Sequence, residues 1–201
     1  MELFPSINNV GRTREKYNMN DLQDFDFVCG LLDKFCADTR VRSVLKKIGS
    51  HDLTGWEKWI QVEFAIFLHD HDDVADFCRE YEYQLDQRKA NRAKAYADFS
   101  FRKKGMSKDV KIILEFKANR KLRACIDGMV ADWNKIECVR ASDDDIRSFW
   151  VVGFHGLDGC KPEEILKSVS QMVAEKMSIK LFKNRLKTTA IGKTGFAVTL
   201  F

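Results

Sequence analysis

Ala95-Tyr96-Ala97-Asp98-Phe99-Ser100-Phe101 and, a short turn later, Lys111-Ile112-Ile113-Leu114-Glu115-Phe116-Lys117 decide how this chain reads. Both stretches have a period of two, the mark of a strand with one face turned inward. In the first, Ala95, Ala97, Phe99 and Phe101 alternate with Tyr96, Asp98 and Ser100. In the second, Ile112, Leu114 and Phe116 alternate with Ile113, Glu115 and Lys117, so Glu115 and Lys117 project together. Gly105 supplies the hairpin turn between them. Neighbouring strands of this kind would bring two carboxylates and an ammonium to one place on the sheet. Paired carboxylate oxygens suit a hard divalent cation such as Mg2+, which keeps several waters and bridges to phosphate. Such a metal polarises a phosphoryl oxygen and lowers the pKa of a bound water, while a lysine can orient that water or counter the charge that develops. The trio therefore suits phosphodiester hydrolysis.

Outward from these strands the pattern is helical on one side and mixed on the other. Upstream, Trp56, Trp59, Ile60, Phe64, Phe67 and Leu68 recur at helical spacing, with Thr54 as the expected N-cap. Further upstream, residues 20–48 form a helical pair, with apolar sets at Leu22, Phe25, Val28, Cys29, Leu32, Phe35, Cys36 and at Val41, Val44, Leu45, Ile48. Arg79 to Leu85 reads as the first strand of the sheet. Downstream, 120–136 reads as a helix, and Phe149-Trp150-Val151-Val152-Gly153-Phe154 as a strand buried on both faces. Pro162 opens a helix to about Met177. Ile179 to Phe182 and Phe196 to Phe201 read as closing strands.

An Asp on one strand followed by Glu-x-Lys on the next resembles the PD-(D/E)xK nuclease superfamily, over residues 54–154. The resemblance implies an α/β protein with a restriction-endonuclease-like core of helix, three strands, helix and strand. It also implies a metal-dependent enzyme that cuts DNA, expected to be an endonuclease, with Asp98 and Glu115 as ligands of Mg2+ or Mn2+ and Lys117 as the catalytic lysine. Ala97 stands where the motif name has proline, a residue often missing in the family. Many members carry a further glutamate on the helix before the sheet, which makes Glu63 a candidate metal ligand. Glu63 lies at the edge of an apolar stripe, where a carboxylate needs a partner to offset its desolvation. An ion pair with a nearby Arg or Lys is its other reading.

The bulk numbers fit one domain spanning residues 1–201, with 1–50 a helical N-terminal extension. The chain has 201 residues, 45% hydrophobic residues, 15 Phe and only 2 Pro, so it can bury a full core without an evident linker. Nothing reads as a secretory signal or a membrane span, and a cytoplasmic protein is expected. The six cysteines form no C-x-x-C pair and read as reduced thiols. His69-Asp70-His71 reads as a solvated helix end, and Gly192-Lys193-Thr194 lacks the first glycine of a phosphate-binding loop.

Net charge is +4, but its distribution says more. Arg88-Lys89 with Arg92 and Lys94, Arg102-Lys103-Lys104, and Arg120-Lys121 with Arg123 flank the strand pair, and the chain beyond Glu175 carries no acidic residue. Arg88, Lys89, Arg92, Lys94, Arg120 and Lys121 are therefore candidate nucleic-acid contacts, since phosphate pairing dominates such affinity. The acidic runs at Asp70 to Asp76 and Asp143 to Asp145 are expected to face away. DNA is the expected partner and RNA a second one, with a homodimer expected where both strands of a duplex are cut. A non-catalytic nucleic-acid-binding or assembly subunit is the alternative reading.

Overall fold

The computed structural model describes residues 18–86, 93–108, 110–136, 146–176 and 185–201. Elements run in the order α1 (Asn18–Ala37), α2 (Thr39–Ser50), α3 (Glu57–His69), β1 (Val74–Gln84), β2 (Lys94–Lys103), β3 (Lys111–Ala118), α4 (Leu122–Ile136), β4 (Ile146–Gly156), α5 (Pro162–Lys176), β5 (Lys187–Ala190) and β6 (Phe196–Leu200). The six strands make one sheet of order β1-β2-β3-β4-β6-β5, in which only β3 and β4 pair in parallel. A parallel pair needs a long crossover, and α4 provides it. The fold is mixed α/β with a mostly antiparallel sheet.

The sheet has a core on each face. On one side Phe25, Phe35, Leu45, Ile60 and Phe64 from α1, α2 and α3 pack on Phe99, Ile112, Leu114, Phe116, Trp150 and Phe154. On the other, Cys125, Ile126, Met129, Ile165 and Val169 from α4 and α5 cover Ile113, Phe149 and Val151. Central strands covered on both faces must be apolar throughout, which is why residues 148–156 of β4 are all buried. The one imidazole in this strand, His155, is satisfied by Thr199 Oγ1 at 2.8 Å and by the Gly156 carbonyl at 3.1 Å.

Most elements fall where periodicity puts them, and the differences have physical causes. The helix expected from Thr54 is capped by Trp56, whose side chain makes no capping bond. The first strand begins at Val74, earlier than Arg79, because a register shift between Ala75 and Cys78 interrupts its alternation. β5, Lys-Thr-Thr-Ala at the sheet edge, has no apolar alternation to announce it. The strand expected at Ile179 to Phe182 lies outside the described residues. Cys29, Cys36 and Cys125 are buried, whereas Cys78 and Cys160 are exposed, and all five are free thiols.

β2 departs most from its sequence reading. Phe99 and Phe101 join the core beneath α1 to α3, yet Ala95 and Ala97 join the opposite core. All four share strand parity, so the strand turns over between Ala97 and Phe99. Opposite this point, between the pairs Arg79–Phe99 and Tyr81–Ala97, stands Glu80, whose φ of 52° is left-handed. A non-glycine residue there is uncommon and accompanies a local irregularity of the ladder. Asp98 sits at the break.

Candidate metal and catalytic site

The β2–β3 ladder runs from Phe101–Ile112 to Phe99–Leu114 and stops there. The next residues in register are Asp98 and Glu115. In place of a backbone pair, Asp98 Oδ2 accepts the Phe116 N–H at 2.8 Å. A side-chain acceptor thus satisfies a donor that the parting strands leave over, and the two carboxylates face each other across the fork.

Glu115 is only 5% exposed. Burial, then the neighbouring carboxylates of Asp98 and Asp132, push its carboxyl up to about 8. Desolvation and like charge both disfavour the ionised form, and here they act together. Lys117, on the same side of β3, reaches Asp132 Oδ2 at 2.5 Å. Burial works against its charge, but the bond to Asp132 and the carboxylates of Glu57 and Glu115 hold the ammonium above the ordinary lysine value.

Two acidic residues that sequence reading did not single out belong to this neighbourhood. Asp132 of α4 is 2% exposed and holds Lys117 on one oxygen and Lys135 on the other. Its one mark in the sequence is its place at i+7 from Cys125 and i+3 from Met129, within an otherwise buried stripe, and that place gains meaning only beside Lys117. Glu57, in the first turn of α3, accepts the Ala118 N–H at 2.8 Å where β3 ends. An acid in a first turn is expected from the helix dipole alone, so nothing marked it.

Glu63 is placed elsewhere. Its carboxylate pairs with Arg40 of α2 and accepts the Trp59 Nε1–H at 3.2 Å. From Glu57 to Glu63 the helix rises about 9 Å and turns through about two-thirds of a revolution beyond one full turn. Glu57 therefore takes the position beside Lys117, and Glu63 takes the ion pair. Of the basic candidates, Lys94 is exposed and pairs with Glu82 at 2.7 Å, and Arg120 pairs with Asp52 at 2.6 Å. Lys121 is exposed beside Arg120. Arg88, Lys89 and Arg92 lie outside the described residues, as do Asp143 to Asp145. Within the other acidic run, Asp76 pairs with Arg102, and Asp70 with His69 at 2.9 Å. A cleft of about 410 Å3 opens beside Arg120, walled by residues 156–160 and 194–196 with Gly49.

The donor set suits a divalent cation. Two carboxylates at a fork, one of them pushed up by burial and then by its acidic neighbours, offer hard oxygen donors of the kind that Mg2+ or Mn2+ takes. Among the described residues no group of three or more His, Cys, Asp or Glu is placed to hold a metal ion, so the pair of Asp98 and Glu115 stands without a third such ligand. Compared with family models, curated proteins and solved structures, the chain matches none. Among the described residues, no helix is long and apolar enough to cross a membrane.

The raised carboxyl makes stability depend on pH. Unfolded, Glu115 titrates near 4.5; folded, near 8. Between those values the folded chain holds the extra proton, so stability is complete below about pH 4.5 and declines as pH rises through 8. The contribution is on the order of a few kcal/mol. In EDTA, the urea midpoint of the wild type is expected to fall between pH 5 and pH 8, and that of Glu115→Gln to fall far less. Equal slopes would assign the effect to other groups.

Proposed function

We propose that the protein is a metal-dependent nuclease of restriction-endonuclease-like architecture that hydrolyses DNA phosphodiester bonds, as an endonuclease. The observation that carries this reading is the convergence of Asp98, Glu115 and Lys117 at the point where β2 and β3 part. The element order α3-β1-β2-β3-α4-β4 is the one expected of that core, and it supports the reading.

Asp98 and Glu115 would hold Mg2+ or Mn2+, which supplies Lewis acidity toward the phosphoryl oxygen and a bound water of lowered pKa. Asp98 is fixed for this role by the Phe116 N–H, which takes one of its oxygens and leaves the other available. Glu115, held protonated by burial and then by the charges of Asp98 and Asp132, would bind a cation in its ionised form, because the cation's charge would offset both penalties. Lys117 stays charged and lies on the same side of the strand, where an ammonium can orient the attacking water and counter charge on the phosphate. Lys94, four residues before Asp98, and Arg120 and Lys121, just after Lys117, supply phosphate contacts on either side of the site. The cleft beside Arg120 offers room for part of the bound strand.

Incubation of linear and circular DNA with the full chain, with Mn2+ or with EDTA, tests the proposal. Cut products that require Mn2+, including linearised circles, are expected. Retarded DNA without cut products in Mn2+ would instead favour a non-catalytic binding subunit, and cleavage confined to RNA would move the substrate class.

A further inference from the structure

Asp132 carries two counter-ions where one would satisfy it, and the surplus has a use. The side chain is 2% exposed, so its charge cannot be left to solvent. Lys117 Nζ lies 2.5 Å from Oδ2, and Lys135 Nζ pairs with Oδ1 from the same helix, three residues on. Gly128, Asp132 and Lys135 follow at i, i+4 and i+7, which places them along one face of α4. The stem of Lys117 lies across this face: a Cβ added at Gly128 would come within 3.1 Å of Lys117 Cδ. Glycine in the middle of a helix is unfavourable against alanine, and here it makes room for the lysine stem.

We propose that Asp132 and Lys135 are positioning residues that let Lys117 move between a stored and a working position, an inference that rests on the nuclease reading. A buried carboxylate left without a cation is strongly unfavourable. With Lys135 in place, Lys117 can leave Asp132 for phosphate or water and no bare buried charge remains behind. Lys135, which pairs with Asp132 from three residues on along the same helix, is the partner that stays. Without Lys135, Lys117 is the one counter-ion left to Asp132 among the described residues and is held there. Both residues act through Lys117 and touch no substrate themselves.

The consequence is a suppressor relationship. Lys135→Ala is expected to lower kcat for Mn2+-dependent DNA cleavage by about tenfold or more with KM little changed. Lys135→Arg keeps a cation on Asp132 and should retain activity. Adding Asp132→Asn to Lys135→Ala removes the charge that traps Lys117 and should restore most of the lost kcat. A role for Lys135 in DNA binding alone would raise KM and would not be reversed at position 132. A role in folding alone would make the double variant worse than the single. Either result overturns the proposal.

A second readout does not depend on cleavage. Acetic anhydride labelling of the full chain without DNA, followed by peptide mass spectrometry, reports how often the Lys117 ammonium leaves Asp132. Labelling at Lys117 is expected to fall several-fold in Lys135→Ala and to recover in the double variant. Unchanged labelling across the three proteins would sink the storage device even if the enzyme cuts DNA. The expected labelling pattern in a protein that cuts nothing would remove the nuclease reading and leave the device standing.

Discussion

Glu115→Gln and Lys117→Ala are each expected to reduce Mn2+-dependent cleavage by on the order of a thousandfold or more, and Glu115→Gln is expected to do so while making the metal-free protein more stable at pH 8. Removing one preorganised group that stabilises transition-state charge commonly costs 10²–10³ in rate, and the loss of a ligand from a two-carboxylate site costs metal occupancy as well. The stability gain follows from the same geometry. Glutamine fills the space of Glu115 and carries none of the charge that burial, Asp98 and Asp132 make unfavourable. Asp98 must be tested as Asp98→Asn, because alanine would strip the Phe116 N–H of its acceptor and confuse a catalytic effect with a folding one. Cleavage rates with saturating Mn2+, read beside urea midpoints in EDTA, check both halves. A Lys117→Ala protein that cuts at the wild-type rate would count against the proposed function; a Glu115→Gln protein that loses stability would count against the crowded-carboxylate picture.

Such a pairing of lost activity with gained stability would mark a site whose charges are arranged for something other than folding. The β3 half of that site was legible in the sequence because β3 is regular. Strict alternation sends Ile112, Leu114 and Phe116 to one core and Ile113 to the other, and Glu115 and Lys117 follow the parity of Ile113. β4 was legible for the opposite reason, since a short apolar run without alternation, rich in aromatic and β-branched residues, suits a strand covered on both faces. β2 was half legible. Its strand character shows in the period, but the turnover at Asp98 does not, because it accompanies a left-handed Glu80 and a register shift between Ala75 and Cys78, neither of which a glycine or proline announces. Asp132 was hidden by its own helix: a polar residue in an apolar stripe has meaning only when the facing strand is known to present Lys117. The exchange between Glu63 and Glu57 is of the same kind. Periodicity puts Glu63 beside the apolar stripe, but the axial position of the helix against the sheet, set by packing of Ile60 and Phe64 on Phe99 and Phe116, decides which glutamate meets the end of β3.

Asp24→Ala is expected to be the most destabilising substitution away from the candidate site, at about 3–5 kcal/mol. Asp24 of α1 is 0% exposed, and both of its oxygens accept from Arg147 Nε of β4, at 3.1 and 2.8 Å. This contact ties the first helix to the central strand, beside the tilted contact of Phe25 with Trp150 at 5.2 Å between ring centroids. Deleting the carboxylate leaves a guanidinium that is itself mostly buried with no counter-charge, and that penalty, more than the loss of the bond, sets the size of the effect. Asp24→Asn is expected to cost less, because the amide oxygen still accepts one bond. Asp24→Leu combined with Arg147→Met removes both charges and keeps apolar volume between helix and strand, so it should recover most of the stability lost in Asp24→Ala. Thermal and urea unfolding of the four proteins measure this. For a domain of this size, a loss of about 4 kcal/mol lowers Tm by roughly 8–16 °C. A double variant no more stable than Asp24→Ala would show that the pair contributes more than the neutralisation of two buried charges, and that the geometry of the carboxylate on the guanidinium itself holds α1 against β4.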